Sequence, residues 1–118
     1  MTDAEIHAFL TANREAVVAA NHPDGGTLAT VAGYELRGGV IALRIPVDDA
    51  VVAALRVDDR ACVTVEQFPS YAEIRAVVVH GRVSIGSPVA GDPTLELVVP
   101  LGADTVSFDF AKSWTAPA

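Results

Sequence analysis

The chain has one cysteine, Cys62, one lysine, Lys112, and one tryptophan, Trp114, in 118 residues. A single cysteine excludes an intramolecular disulfide and a cluster of thiolate metal ligands. Eight basic residues stand against fifteen acidic ones, for a net charge of -7. An acidic chain repels a phosphate backbone unless its few cations gather in one stripe. Here they are scattered singly from Arg14 to Lys112, so nucleic acid is not an expected partner. Aromatic residues are 6% of the chain and form no row on which bases or sugars could stack. No apolar run is long enough to cross a bilayer. The start, MTDAEIHAFL, carries acids early and lacks the long apolar core of a secretory signal. No membrane partner is expected, and a cytoplasmic location is the default. His7, His22 and His80 have no metal-ligand spacing, and neither a Ser-His-Asp nor a Cys-His set is evident.

What the chain does have is apolar residues, 51% of the total, enough for one core in a single domain spanning 1–118. Residues 2–13 read as a helix, with Ile6, Phe9 and Leu10 on one stripe and Thr2 with Glu5 at capping-box spacing. Strands follow at Ala16–Ala20, Thr27–Leu36 and Val40–Ile45, separated by the turns HPDGG and RGG. Pro46 stops the third strand. Asp48 is the expected N-cap of a short helix buried through Val51, Val52 and Leu55. Arg60–Gln67 is the fourth strand, 68–71 a loop, and Ile74–Ile85 a long fifth strand in which Gly81 marks a bulge or a close approach. Residues 86–94 read as a loop with little to order it, and Leu95–Val99 as an apolar run of unassigned state. In Thr105–Phe110, Val106, Phe108 and Phe110 share one face, which predicts a half-buried last strand. The fold class is mainly β with short helices, a barrel of about six antiparallel strands, and closure would leave no bare edges.

The order FLTANREAVVAAN, PDGG, TLATVAGYEL, VIALRIP, VDDAVVAALRVDDR, ACVTVEQ, HGRVSI and TVSFDFAKSWTAPA resembles the pyridoxamine 5'-phosphate oxidase-like, flavin-binding split-barrel family. That family includes actinobacterial members that use the deazaflavin coenzyme F-420. The resemblance runs over roughly residues 4–114 and rests on element order and turn placement. It implies a split β-barrel homodimer with a cofactor, FMN or F-420, in a groove between subunits. It implies an oxidoreductase acting on a small organic acceptor, with the hydride chemistry supplied by the cofactor. By position, Leu28, Thr30, Val31 and Ala32 would line the ring site, and Arg44, Ile45 and Pro46 would follow near the phosphate. Gln67 and Tyr71 would be added by the fourth strand and its loop, and Trp114 would either stack on the cofactor or cover a dimer seam.

The chain departs from the family pattern where the helix begins. Members often carry a serine or threonine followed by a lysine or arginine there. This chain has Val47-Asp48-Asp49-Ala50, and Thr27 stands where a proline is usual after the DG turn. Carboxylates beside a phosphate dianion oppose its binding. An alternative therefore stands beside the enzyme: a cofactor-free or degenerate split-barrel dimer that acts as a binding or structural protein. For the single residues, Arg44 is the candidate anion contact, and Asp48-Asp49 reads as a helix cap. Cys62 reads as a small core residue and PDGG as a plain turn, since a strand and not a helix follows it.

Overall fold

The computed structural model describes residues 1–67, 74–102 and 104–109. Helix α1 (Asp3–Ala12) starts on the expected capping box. The Thr2 hydroxyl accepts from the Glu5 N–H at 3.2 Å, and the Glu5 carboxylate accepts from the Thr2 N–H at 3.1 Å. Each bond satisfies a donor that the first turn leaves without a helical partner. The helix buries Phe9 and Leu10 and ends at Asn13, whose side-chain amide donates to the Phe9 carbonyl at 2.8 Å.

Eight strands form one antiparallel sheet: β1 (Glu15–Asn21), β2 (Thr27–Arg37), β3 (Val40–Pro46), β4 (Arg60–Gln67), β5 (Arg75–Arg82), β6 (Ser84–Ile85), β7 (Thr94–Pro100) and β8 (Thr105–Asp109). Their order is β6-β7-β3-β2-β1-β4-β5-β8. The turn before β2 needs glycine: Gly25 and Gly26 have φ of 97° and 84°, where a side chain would clash. Inward positions recur at every second residue and supply a core of Val18, Ile41, Leu43, Ile45, Val63, Val65, Val77, Val79, Leu95, Leu97 and Val99. The sheet curls until β5 meets β7 without pairing to it: the Cβ position of Gly81 lies 3.3 Å from Val99 Cγ1. Gly81 thus marks a close approach.

Helix α2 (Ala50–Val57) packs against β1 and β2 and sends Val51, Val52, Ala54 and Leu55 into the core. Its N-cap is Asp49, one residue later than the sequence suggested: the Asp49 carboxylate accepts from the Val51 N–H at 2.8 Å. No helix among the described residues is long and apolar enough to cross a membrane.

Three further expectations are corrected. The described residues form eight strands rather than about six, because the fifth splits at Val83 into β5 and β6 and the apolar run of unassigned state is β7. Val83 leaves the ladder because its N–H donates to the Asp59 carbonyl at 2.8 Å. The 86–94 segment is ordered by Asp92, which accepts from both the N–H and the hydroxyl of Thr94 at 2.9 Å. Strand β8 alternates as expected but faces the other way: Val106 and Phe108 point outward, 59% and 46% exposed, while Thr105, Ser107 and Asp109 are half-buried. Phe110 and the 68–71 loop lie outside the described residues.

Candidate functional site

The barrel interior is filled with aliphatic side chains, so a ligand has to sit on the outside or in the split of the sheet. That split lies between β2 and β3. Their ladder runs from Arg37–Val40 to Gly33–Arg44 and goes no further. The Tyr34 N–H donates toward β1, to the Arg14 carbonyl at 2.9 Å. Because backbone groups alternate sides along an antiparallel strand, the odd-numbered residues of β2 face β3. The N–H and C=O groups of Ala29 and Val31 therefore point past the last rung, where no strand among the described residues pairs them. A planar heterocycle with donors and acceptors on one edge could meet this backbone as a strand would.

The structure separates the residues expected to line a ring. Leu28, Thr30 and Ala32 turn inward beside α2 and the core, whereas Val31 turns outward and is 61% exposed. The side chain of Ile45 is fully buried, so only its backbone can reach a ligand. Pro46 is exposed at the end of β3, opposite Thr94 of β7. Gln67 is committed elsewhere, accepting from the Arg75 guanidinium at 2.8 Å. Arg75 also lies over the Phe9 ring, 5.3 Å from its centroid. Tyr71 and Trp114 lie outside the described residues. Leu28, Thr30, Val31 and Ala32 thus lie along one strand with their side chains on two faces, and Gln67 stands two strands away on β4.

Arg44 is on the outer surface of β3 and already has partners. Its guanidinium donates to the Thr94 hydroxyl at 3.2 Å and the Asp92 carboxylate at 3.4 Å, and stands 3.9 Å from the Glu96 carboxylate. Arg37 donates to Glu96 at 2.8 Å and pairs with Glu35 at 2.6 Å. The Arg37 hydrogen bond holds the Glu96 carboxyl below its ordinary range. The Thr94 N–H and hydroxyl do the same for Asp92. An incoming phosphate would compete with ionised carboxylates for Arg44. The start of α2 offers it no better welcome, because the Asp49 carboxylate occupies the Val51 N–H.

One recess on the surface was not legible as a unit in the sequence. It measures about 530 Å³ and lies at one end of β1, β4 and β5. Its lining includes the small residues Ala19, Ala61 and Gly81, with Cys62, and the polar residues Arg60, His80, Arg82 and Asp104. Cys62 faces out and is half-buried, not a core residue, with His80 directly opposite it in the β4–β5 register. Arg60 stands opposite Arg82, a like-charge pair that two aspartates relieve. Asp58 takes Arg60 in a fork at 2.8 and 3.0 Å, and Asp59 takes Arg82 at 2.6 Å. The Arg60 side chain, then Asn21, hold the Asp58 carboxyl well below the usual carboxylate range. Strand alternation could have placed Arg60 with Cys62 and His80 with Arg82, but the pairing of β4 with β5 is needed to join the two sets. No group of His, Cys, Asp and Glu among the described residues has the arrangement of a metal site.

No protein-family model and no curated protein matches the sequence. Solved structures do share its fold. A conserved hypothetical protein of Mycobacterium tuberculosis superposes with a TM-score of 0.82 at 20% identity, over 100% of this chain and 91% of that one. An FAD- and heme-binding protein of Mycobacterium smegmatis gives 0.77 at 17% identity, over 99% and 75%. A putative pyridoxamine 5'-phosphate oxidase of Listeria innocua gives 0.72 at 12% identity, over 91% and 98%. At such identities the likeness shows the fold, which is the split barrel that the sequence resembles.

Proposed function

We propose that the chain is a cytoplasmic homodimer that binds a flavin-type cofactor, FMN or the deazaflavin F-420, and acts as an oxidoreductase on a small organic acceptor. The observation that carries this reading is the open edge of β2, in a fold shared with an FAD- and heme-binding protein and a putative pyridoxamine 5'-phosphate oxidase. When bound, such a cofactor would supply the hydride transfer. The chain's own part is placement. The backbone of Ala29 and Val31 would meet the polar edge of the ring, exposed Val31 would lie against it, and Pro46 would bound it on the β3 side. The residues fit a ring better than a phosphate, because Arg44 is held by Asp92 and Glu96.

Titration of the purified protein with FMN and with F-420, followed by the ligand's fluorescence, tests the reading. A saturable change with one of them is expected. A colourless protein that ignores both sinks it.

The commitment of Arg44 and the Asp49 cap favour a second reading, in which the same barrel has lost its cofactor and serves as a binding or structural dimer. In that case Asp49→Ser with Ala50→Lys, which restores the family-like helix start, should create flavin affinity. No gain from that double substitution would count against loss of the phosphate grip as the explanation.

A further inference from the structure

The split between β2 and β3 has two banks. One is the open edge of β2 at Ala29 and Val31; the other is the end of β3 and the start of α2. The second bank is tied to residues 92–94, because the Val47 N–H donates to the Pro93 carbonyl at 2.9 Å. That tie gathers Asp48, Asp49 and Asp92 at one corner, beside Arg44 and Glu96. The ladder of β3 with β7 fixes Arg44 there, setting it directly opposite Glu96, with Pro46 opposite Thr94. Opposite charges facing each other across a ladder attract. Glu96 also takes Arg37, and Asp92 is fixed by Thr94. Neither carboxylate swings clear of Arg44 without breaking other bonds. Among the described residues no basic side chain pairs with Asp48 or Asp49.

A flavin that turns its polar edge to β2 has to lead its tail out along one bank or the other. On the β3 side the tail meets the acidic corner. Over β1 it meets Val17 and Val31, and then the exposed carboxylates of Glu15 and Glu66, which line one recess with them. Two other cations stand apart from both routes. Arg14 is level with Tyr34, where the ladder of β2 with β3 is closed. Arg56 is in the last turn of α2, about 10 Å along the helix from Asp49. A tail of hydroxyls can donate hydrogen bonds to these carboxylates. A phosphate dianion repels them, and taking Arg44 from Asp92 or Glu96 strips a carboxylate of its partner.

We infer that this site selects a flavin with an uncharged tail, riboflavin over FMN, and that Asp92 and Glu96 set the choice by holding Arg44. The inference rests on the flavin reading above and names the ligand class within it. FMN still binds through its ring, but more weakly. The anionic tail of F-420 is disfavoured on the same ground.

Fluorescence titrations with riboflavin, FMN and F-420 test it at ionic strengths of about 0.01 M and about 0.15 M, between which the screening length falls from about 30 to about 8 Å. At the lower strength riboflavin is expected to bind about tenfold more tightly than FMN. Added salt screens repulsion, so it should tighten FMN and leave riboflavin unchanged. Asp92→Asn with Glu96→Gln frees Arg44; it should tighten FMN about tenfold and change riboflavin by less than about twofold. Melting curves check that the double variant folds, and the salt series needs no variant and decides the matter if it does not. FMN bound as tightly as riboflavin, an FMN affinity that falls with salt, or a folded double variant with no gain for FMN overturns the inference and leaves the flavin reading standing. F-420 bound more tightly than riboflavin does the same. A protein that binds none of the three refutes the flavin reading and this inference together.

Discussion

Replacing Tyr34 with phenylalanine removes one oxygen and tests how α1 is fastened to the barrel. The Tyr34 hydroxyl donates to the Leu10 carbonyl at 2.7 Å, across a ring that is half-buried between helix and sheet. Leu10 lies in the last turn of α1, where carbonyls have no helical partner. Without the hydroxyl the Leu10 carbonyl loses its bond while the ring keeps its packing. The expected loss at neutral pH is about 1 kcal/mol, rising to about 2 if water cannot reach the carbonyl. Burial also pushes the Tyr34 phenol up to about 12 from an ordinary 10.0. A raised folded-state value means that the neutral phenol is favoured by folding. Its contribution is therefore complete below pH 10 and lost as pH rises from 10 to 12. A two-unit shift corresponds to about 2.7 kcal/mol, which solvent at the open side of the ring reduces to about 1. Urea unfolding of wild type and Tyr34→Phe at pH 7 and at intervals up to pH 11.5 gives both quantities. The wild-type advantage should shrink through that window. Equal stability at pH 7, or a gap that stays constant to pH 11.5, refutes the reasoning.

Other substitutions probe the remaining joints. Asp49→Ala should lower stability by about 1 kcal/mol in urea unfolding, while Asp48→Ala stays within about 0.5, since only Asp49 caps α2. Gly81→Val should cost about 1–3 kcal/mol by driving β5 off β7, and Val99→Ala in the same chain should recover part of it in thermal melts. Asp58, with its carboxyl lowered by Arg60 and Asn21, contributes stability above the ordinary aspartate range and loses it as pH falls below about 4. Asp58→Asn should flatten that acid limb of the stability profile, and an unchanged limb would contradict the assignment.

Most of the architecture was legible because local chemistry and tertiary structure agree. Thr2 and Glu5 mark the start of α1, Gly25 and Gly26 the first hairpin, and Pro46 the end of β3. The helix cap was misplaced by one residue because Asp48 and Asp49 are chemically equal and only backbone geometry chooses between them. Strand β7 escaped because Leu95–Val99 is too apolar and too short to show a period, and its state is set by β3, a partner distant in sequence. Strand β8 shows the limit most clearly. Alternation at Val106 and Phe108 reports that two faces differ, and not which one is inside. At the candidate site, the β2 segment was suggested by resemblance, whereas its open edge depends on where the β3 ladder stops. The commitment of Arg44 to Asp92 and Glu96 depends on β7, which the sequence left unassigned.

The pairing of β3 with β7 also sets the order in which the molecule is built. Strands β1, β2 and β3 follow one another through short turns, as a meander that can zip locally. Strand β7 reaches β3 from much farther along the chain, Pro46 meeting Thr94 and Val40 meeting Pro100. Closing so long a loop is entropically dear and slow, so this ladder forms late. Until it does, β3 presents an unpaired edge beside the bare side chains of Ile41, Leu43 and Ile45. The interval before β7 docks is when the chain is most exposed to sticking to its neighbours. Pulse-labelled hydrogen exchange during refolding should find the β7 amides protected last, and early protection there would reverse this sequence of events.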